Sequence, residues 1–134
     1  MASSNNVVTV QVVNGPSVEV LWTHGMNAQQ ALEDACNILN RIDQFTFALQ
    51  YYGSTLGYLV EMINETYDTF MSKAEPFYYW EFFHNDQPSQ TGIDHTILNS
   101  GDTISFSYEL FQDQKHRNSL LRVKNEVQMK RIGR

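Results

Sequence analysis

The chain has 134 residues, 42% of them hydrophobic, enough apolar material for one core and too little for two. Its net charge of -6 is unevenly spread: residues 1–111 set thirteen carboxylates against Arg41 and Lys73, a balance of -11, whereas residues 112–134 set seven Lys and Arg against Asp113 and Glu126, a balance of +5. The acidic body disfavours nucleic acid, the single Cys36 excludes an intrachain disulfide and a CxxC metal or redox pair, and no apolar run reaches the roughly eighteen residues of a membrane span.

The opening residues, Met-Ala-Ser-Ser-Asn-Asn, are polar, lack the layout of a secretion signal and read as a disordered tail over 1–6. The chain is therefore intracellular, or a form from which a signal has been removed. Val7–Val13 and Val18–Thr23 are β-branched runs separated by Asn14-Gly15-Pro16, a hairpin signal whose proline lengthens the turn. Val18, Val20 and Trp22 share a face, and Trp22 is assigned to the core.

From Asn27 to about Ile42 the period changes. Ala28, Ala31, Leu32, Ala35, Leu39 and Ile42 form one helical stripe, with Asn27 and Gln30 spaced as a capping box. Cys36 reads as a small core residue of this helix. Phe45, Phe47 and Leu49 then alternate as one face of a strand ending at Tyr51, and Tyr58–Ile63 is a further short strand. Asn64-Glu65-Thr66 matches a glycosylation acceptor, relevant only to a secreted protein. Residues 67–76 read as a loop or a short helical turn.

The aromatic run Phe77 to His84 is the centre of the chain's organisation. Alternation puts Tyr78, Trp80 and Phe82 on one face and Phe77, Tyr79, Glu81 and Phe83 on the other, which describes a central strand. Glu81 requires solvent or a partner, so its face is expected to meet water or a ligand. Asn85–Gly92, containing Pro88, reads as a long turn. Asn99–Asp102 makes another before Thr103–Phe111, where Ile104, Phe106, Tyr108 and Leu110 face in and the alternate residues face out.

These elements predict an α+β fold of β-grasp type over residues 7–111, a mostly antiparallel sheet with one helix packed across it. Residues 112–134 form a basic tail, in which Leu120, Val123 and Val127 supply the stripe of a marginal helix. Attraction between this tail and the acidic body of another molecule would make a homo-oligomer. Catalysis has no motif behind it: His24, His84, His95 and His116 are scattered, and no nucleophile setting, metal-ligand spacing or phosphate loop is present. Asp94-His95 is a carboxylate–imidazole pair whose members would point apart in a strand. The chain is read as a non-enzyme with no required cofactor and no metal site.

Four stretches resemble the small carboxyl-terminal domain of the transcobalamin and intrinsic factor family of cobalamin carriers, and its free-standing bacterial relatives of unknown function. They are Gly25 with the helix Ala28–Leu39; Phe45-Thr46-Phe47 followed by Leu56-Gly57-Tyr58-Leu59-Val60-Glu61-Met62-Ile63-Asn64; Tyr79-Trp80-Glu81-Phe82-Phe83 ahead of Pro88 and Gly92; and Asn99-Ser100-Gly101-Asp102-Thr103-Ile104. The resemblance implies a soluble, secreted ligand-binding domain forming one half of a clamp around cobalamin, with a partner supplying the other half. It carries the ligand-facing role to Gly57, Tyr58, Val60, Phe82, Phe83 and Pro88. A half-clamp implies weak corrinoid affinity, cobalamin being a ligand and not a required cofactor. The alternative is an extracellular protein-interaction or glycan-recognition module.

Overall fold

In the computed structural model, which describes residues 6–42, 44–54, 56–69, 77–89 and 91–110, the two opening runs pair as the antiparallel hairpin β1 (Val7–Val12) and β2 (Ser17–Leu21). The remaining elements are α1 (Ala28–Leu39), β3 (Phe47–Tyr51), β4 (Tyr58–Ile63), β5 (Thr66–Tyr67), β6 (Tyr78–His84), β7 (Gln87–Pro88) and β8 (Thr103–Leu110). Residues 1–5, 70–76 and 111–134 lie outside the described set, and with them most of the expected tails and of the loop at 67–76. Asn6 is described, its carbonyl accepting from the Trp22 N–H at 2.9 Å.

The expected layout is present: among the described residues, one helix lies on mostly antiparallel sheet. The strands divide into a five-stranded sheet, β2-β1-β8-β6-β7, and a three-stranded one, β3-β4-β5. Within the larger sheet β1 and β8 run parallel and the other neighbours antiparallel. The sheets meet at β6 mainly through side chains. Asp68 Oδ1 accepts from Trp80 N at 2.9 Å, Thr69 Oγ1 accepts from Tyr78 N at 2.7 Å, and one backbone bond, Thr69 N to Tyr78 O, joins them. Thus β6 has β8 along one flank and residues 68–69 with the short β7 along the other. It is internal, as its aromatic content requires.

Helix α1 begins where the capping box predicts: Asn27 Oδ1 accepts from Gln30 N, and Gln30 Oε1 from Asn27 N, both at 2.9 Å. Ala28, Ala31, Leu32 and Ala35 are fully buried, so the small side chains let the helix lie close to β1 and β2. Its end is earlier than the stripe suggests. Asn40 turns its carboxamide oxygen onto the Phe45 N–H at 2.6 Å, taking the chain off the helix, and Ile42 is left 82% exposed. Cys36 is partly buried, its thiol directed at the Phe45 carbonyl at 3.3 Å. Phe45 is deep in the core, and β3 starts two residues later.

One core joins the helix to the inner face of the large sheet and reaches Val60 and Ile63 of β4. The strand register places Phe82 opposite Phe106, their rings stacked 5.3 Å apart. Trp22 sits at the core's margin, partly buried, donating its indole N–H to the Leu98 carbonyl at 2.9 Å.

Three expectations are corrected. The middle of the Glu81 face of β6 is closed to water: Glu81 is 7% exposed and accepts from the fully buried Tyr79 hydroxyl at 2.9 Å. Burial, reinforced by the Glu81 charge, pushes the Tyr79 phenol well above the ordinary tyrosine range. Similarly β8 lacks a uniformly wet outer face, because Ser105 is buried there. Finally, Asn85–Gly92 is no long turn. Asn85 and Asp86 both have positive φ, 52° and 68°, making a two-residue turn of the kind that matches strand twist, and Pro88 pairs with Phe83 in β7. Asn64 and Glu65, at 48° and 70°, make the same turn between β4 and β5.

Candidate functional site

The ligand-facing positions implied by resemblance do not converge in one place. Val60, 3% exposed, and Phe82, 7% exposed, belong to the core and support the surface from beneath. Phe83 is partly buried and Pro88 exposed, facing each other across the β6–β7 hairpin. Tyr58 opens β4 at the protein surface with the buried Gly57 just before it, and a distinct arrangement forms around them.

Gly57 has φ of +82°, a conformation L side chains avoid, and a Cβ there would fall on Asp94 Oδ1 and His95 Cδ2. Glycine thus lets the turn at 92–95 close on the start of β4. Gly92 completes the fit from the other side, where a Cβ would collide with the Leu56 and Tyr58 carbonyls. Three hydrogen bonds tie the segments: Gly92 N to Leu56 O at 2.8 Å, Ile93 N to Tyr58 O at 2.9 Å, and Tyr58 N to Asp94 Oδ1 at 2.8 Å. The turn is also lashed to α1, since Ala28 N donates to Thr96 O and Gln29 N to Ile93 O, satisfying N–H groups a helix start leaves free. The Asn27 Nδ2 reaches the Asp94 carbonyl at 3.2 Å.

A chain of hydroxyls holds the turn from within. Ser89 Oγ donates to Thr91 O at 2.9 Å, the Thr91 and Thr96 hydroxyls lie 2.9 Å apart, and the buried Thr96 hydroxyl donates to Gly92 O at 3.0 Å. Asp94 and His95 therefore stand on a braced turn, with Asp94 Oδ2 3.7 Å from His95 Nε2. In a strand they would point apart; the turn swings them together. Beside them Tyr58 tilts against Tyr51 of β3, ring centroids 5.0 Å apart at 47°. Both rings are open to solvent, Tyr51 at 47% and Tyr58 at 37%.

The resulting edge offers two aromatic faces, a carboxylate with one oxygen held by backbone, and an exposed imidazole. It can stack a planar or ring-shaped ligand and exchange hydrogen bonds with its rim. Of these residues the resemblance reaches Gly57 and Tyr58 and misses Tyr51, Asp94 and His95. The available signal was the pair of glycines, Gly57 and Gly92, each set where a second chain segment passes.

Among the described residues no group of three or more His, Cys, Asp or Glu side chains is gathered to hold a metal ion. His84 is engaged elsewhere: its Nε2 lies 2.7 Å from Asp102 Oδ2, which also accepts from Asn99 N at 2.8 Å, while Asp102 Oδ1 accepts from Asn85 Nδ2 at 2.9 Å. Burial raises the Asp102 pKa, but the bonds from Asn85, Asn99 and His84 outweigh it and hold the carboxyl below its ordinary value. This cluster pins the β6–β7 turn to the start of β8. No helix among the described residues is long and apolar enough to cross a membrane.

Residues 25–110 match the family model described as a domain of unknown function, DUF4430. No curated protein sequence matches the chain. Among solved structures it is similar to haptocorrin, a carrier of the transcobalamin family, in complex with Cbi: 18% identity, a TM-score of 0.56, 79% of this chain and 25% of that one covered. The chain thus spans a quarter of the carrier's length, and at this identity the likeness is one of fold. A candidate metal-binding protein from Ruminococcus gnavus ATCC 29149 is covered over 96% of its length and 79% of this chain, at 11% identity and a TM-score of 0.48, too loose to carry an argument.

Proposed function

The chain belongs to the DUF4430 family, and on that premise we propose that it is a non-catalytic ligand-binding domain whose binding edge is formed by Tyr51, Tyr58, Asp94 and His95. The observation that carries this reading is the exposed tyrosine pair held at 5.0 Å beside a turn that Gly57 and Gly92 allow to close on β4. Tyr67 and Tyr78 are exposed as well, but the Tyr51–Tyr58 pair stands next to a braced carboxylate. The resemblance to the cobalamin carriers names the first ligand to try, a corrinoid, which a single edge covers on one face and holds weakly. The same resemblance supports secretion and a partner that covers the ligand's other face. The edge also suits a sugar ring, with a tyrosine beneath it and Asp94 and His95 at its hydroxyls, which favours a glycan-recognition module as the second reading.

The test is an absorption titration of the protein into aquocobalamin and cyanocobalamin, repeated with Tyr58→Ala. A saturable response to both corrinoids, weakened at least tenfold by the substitution, is expected. Silence at high micromolar concentration refutes the corrinoid reading and moves the search to glycan arrays.

A further inference from the structure

We propose that the outer face of β6 and β8 is the docking surface for this chain's own basic segment, residues 112–134, with Leu120, Val123 and Val127 laid over Tyr79 and the flanking lysines and arginines beside Glu81 and Glu109. The contact is separate from the Tyr51–Tyr58 edge and stands or falls without it.

One half of the large sheet's outer face is wet and the other is dry. On the β2 and β1 side Glu19, Leu21 and Gln11 are exposed, Leu21 at 75%. The register carries the same face across to Ser105 of β8 and then to Glu81 and Tyr79 of β6, and these are buried, Tyr79 completely. Helix α1 and the small sheet do not explain this, because they pack on the opposite face. There Val60 and Ile63 join the core, Trp80 Nε1 donates to Thr66 O at 2.8 Å, and the Tyr108 hydroxyl donates to Tyr67 O at 2.7 Å. Among the described residues Tyr79 belongs to neither apolar cluster. A tyrosine ring on a bare sheet face keeps one side in water; a ring with no exposed surface has a segment laid over it.

Position, length and charge identify that segment. Strand β8 ends at Leu110, which pairs with Tyr78, so the chain leaves the sheet one residue from Tyr79. Recrossing the eight residues of β8 takes about 26 Å at about 3.3 Å per residue. Residues 111–134 reach about 36 Å even at the about 1.5 Å per residue of a helix. The dry half carries two carboxylates, Glu81 and Glu109, opposite sheet neighbours of Ser107 and Tyr79. A carboxylate drawn out of water is tolerated where cations stand close, and residues 112–134 hold seven Lys and Arg against two carboxylates. Leu120, Val123 and Val127 recur at intervals of three and four, which puts apolar side chains along one side of the segment.

Paramagnetic broadening in the full-length chain tests this. A nitroxide is attached at Glu126→Cys in a Cys36→Ser background, the serine keeping a donor toward the Phe45 carbonyl. The amides of Tyr79, Glu81, Ser105 and Ser107 are expected to lose most of their intensity, with the loss falling off toward Glu19 and Leu21 and toward Tyr58. Adding Leu120→Asp and Val123→Asp to the labelled chain restores the lost intensity. Broadening that is absent, uniform, or centred on another surface overturns the proposal, as does a pattern unchanged by the two aspartates. A mixture of isotope-labelled chain without nitroxide and nitroxide chain without isotope gives no broadening if each segment covers its own molecule. Equal broadening in that mixture overturns the proposal in favour of exchange between molecules.

Discussion

Replacing Gly57 by alanine isolates what the edge depends on. Two costs combine at this position. The backbone sits at φ of +82°, which costs an L residue about 1–2 kcal/mol. The new methyl would also occupy the place of Asp94 Oδ1 and His95 Cδ2, forcing the turn away and breaking the bond from Tyr58 N to Asp94. A hydrogen bond to a charged group contributes about 1.5–3 kcal/mol, so Gly57→Ala should cost about 3 kcal/mol or more. Gly53→Ala supplies the control, because Gly53 has φ of +96° and nothing within 4 Å of an added Cβ. It should cost only the backbone term, about 1–2 kcal/mol. Urea unfolding followed by tryptophan fluorescence separates them. With a slope of about 1.5 kcal/mol per M, Gly57→Ala should lower the midpoint by about 2 M and Gly53→Ala by about half that. Equal midpoints for the two variants would refute the claim that Asp94 and His95 are seated against Gly57.

The remaining predictions concern the frame around the edge. Asp102 has its folded pKa below the unfolded value, so its contribution to stability is complete above the unfolded carboxyl value of about 3.9 and is lost as pH falls through the lower folded value. Thermal melts from pH 6 down to pH 2 should therefore show a smaller acid-induced loss for Asp102→Asn than for the parent chain, and parallel curves would count against the cluster. Tyr79→Phe deprives the buried Glu81 carboxylate of the donor 2.9 Å away and should cost about 1–3 kcal/mol in chemical denaturation; a neutral change would mean that the hydroxyl is dispensable. Asn27→Ala removes both the helix cap and the bond to the Asp94 carbonyl. It should lower stability by about 1–2 kcal/mol, and Asn27→Ser, which keeps a capping oxygen, should recover most of that. Deleting residues 1–24 strips β1 and β2 from the middle and edge of the large sheet, although the family match begins only at residue 25. The shortened chain should lose its dispersed amide NMR spectrum; retention of a native-like spectrum would show the hairpin to be an accessory.

Why some of this was legible in the sequence and some was not follows from how far each signal reaches along the chain. Helix α1, its capping box and the aromatic β6 are written within windows of about a dozen residues, because side-chain period and local hydrogen bonding decide them. Its C-terminal end was less secure. The stripe runs on to Ile42, but Asn40 finds Phe45 and stops the helix, a competition the period does not encode. The tight turns at Asn64-Glu65 and Asn85-Asp86 were obscured because their second residues, Glu and Asp, take positive φ where glycine would have announced it. Of the positions the resemblance implies, Tyr58 is exposed beside the turn at 92–95, whereas Val60 and Phe82 belong to the core.

By itself the sequence determined, over the described residues, a helix packed on a mostly antiparallel framework, since composition and period suffice for that. Tertiary structure alone decided that the strands divide into two sheets, that Glu81 is buried against Tyr79, and that Tyr51, Tyr58, Asp94 and His95 share an edge. Tyr58 and Asp94 are 36 residues apart along the chain. Their meeting depends on two glycines yielding space to a distant segment, and no local preference of either residue contains that information.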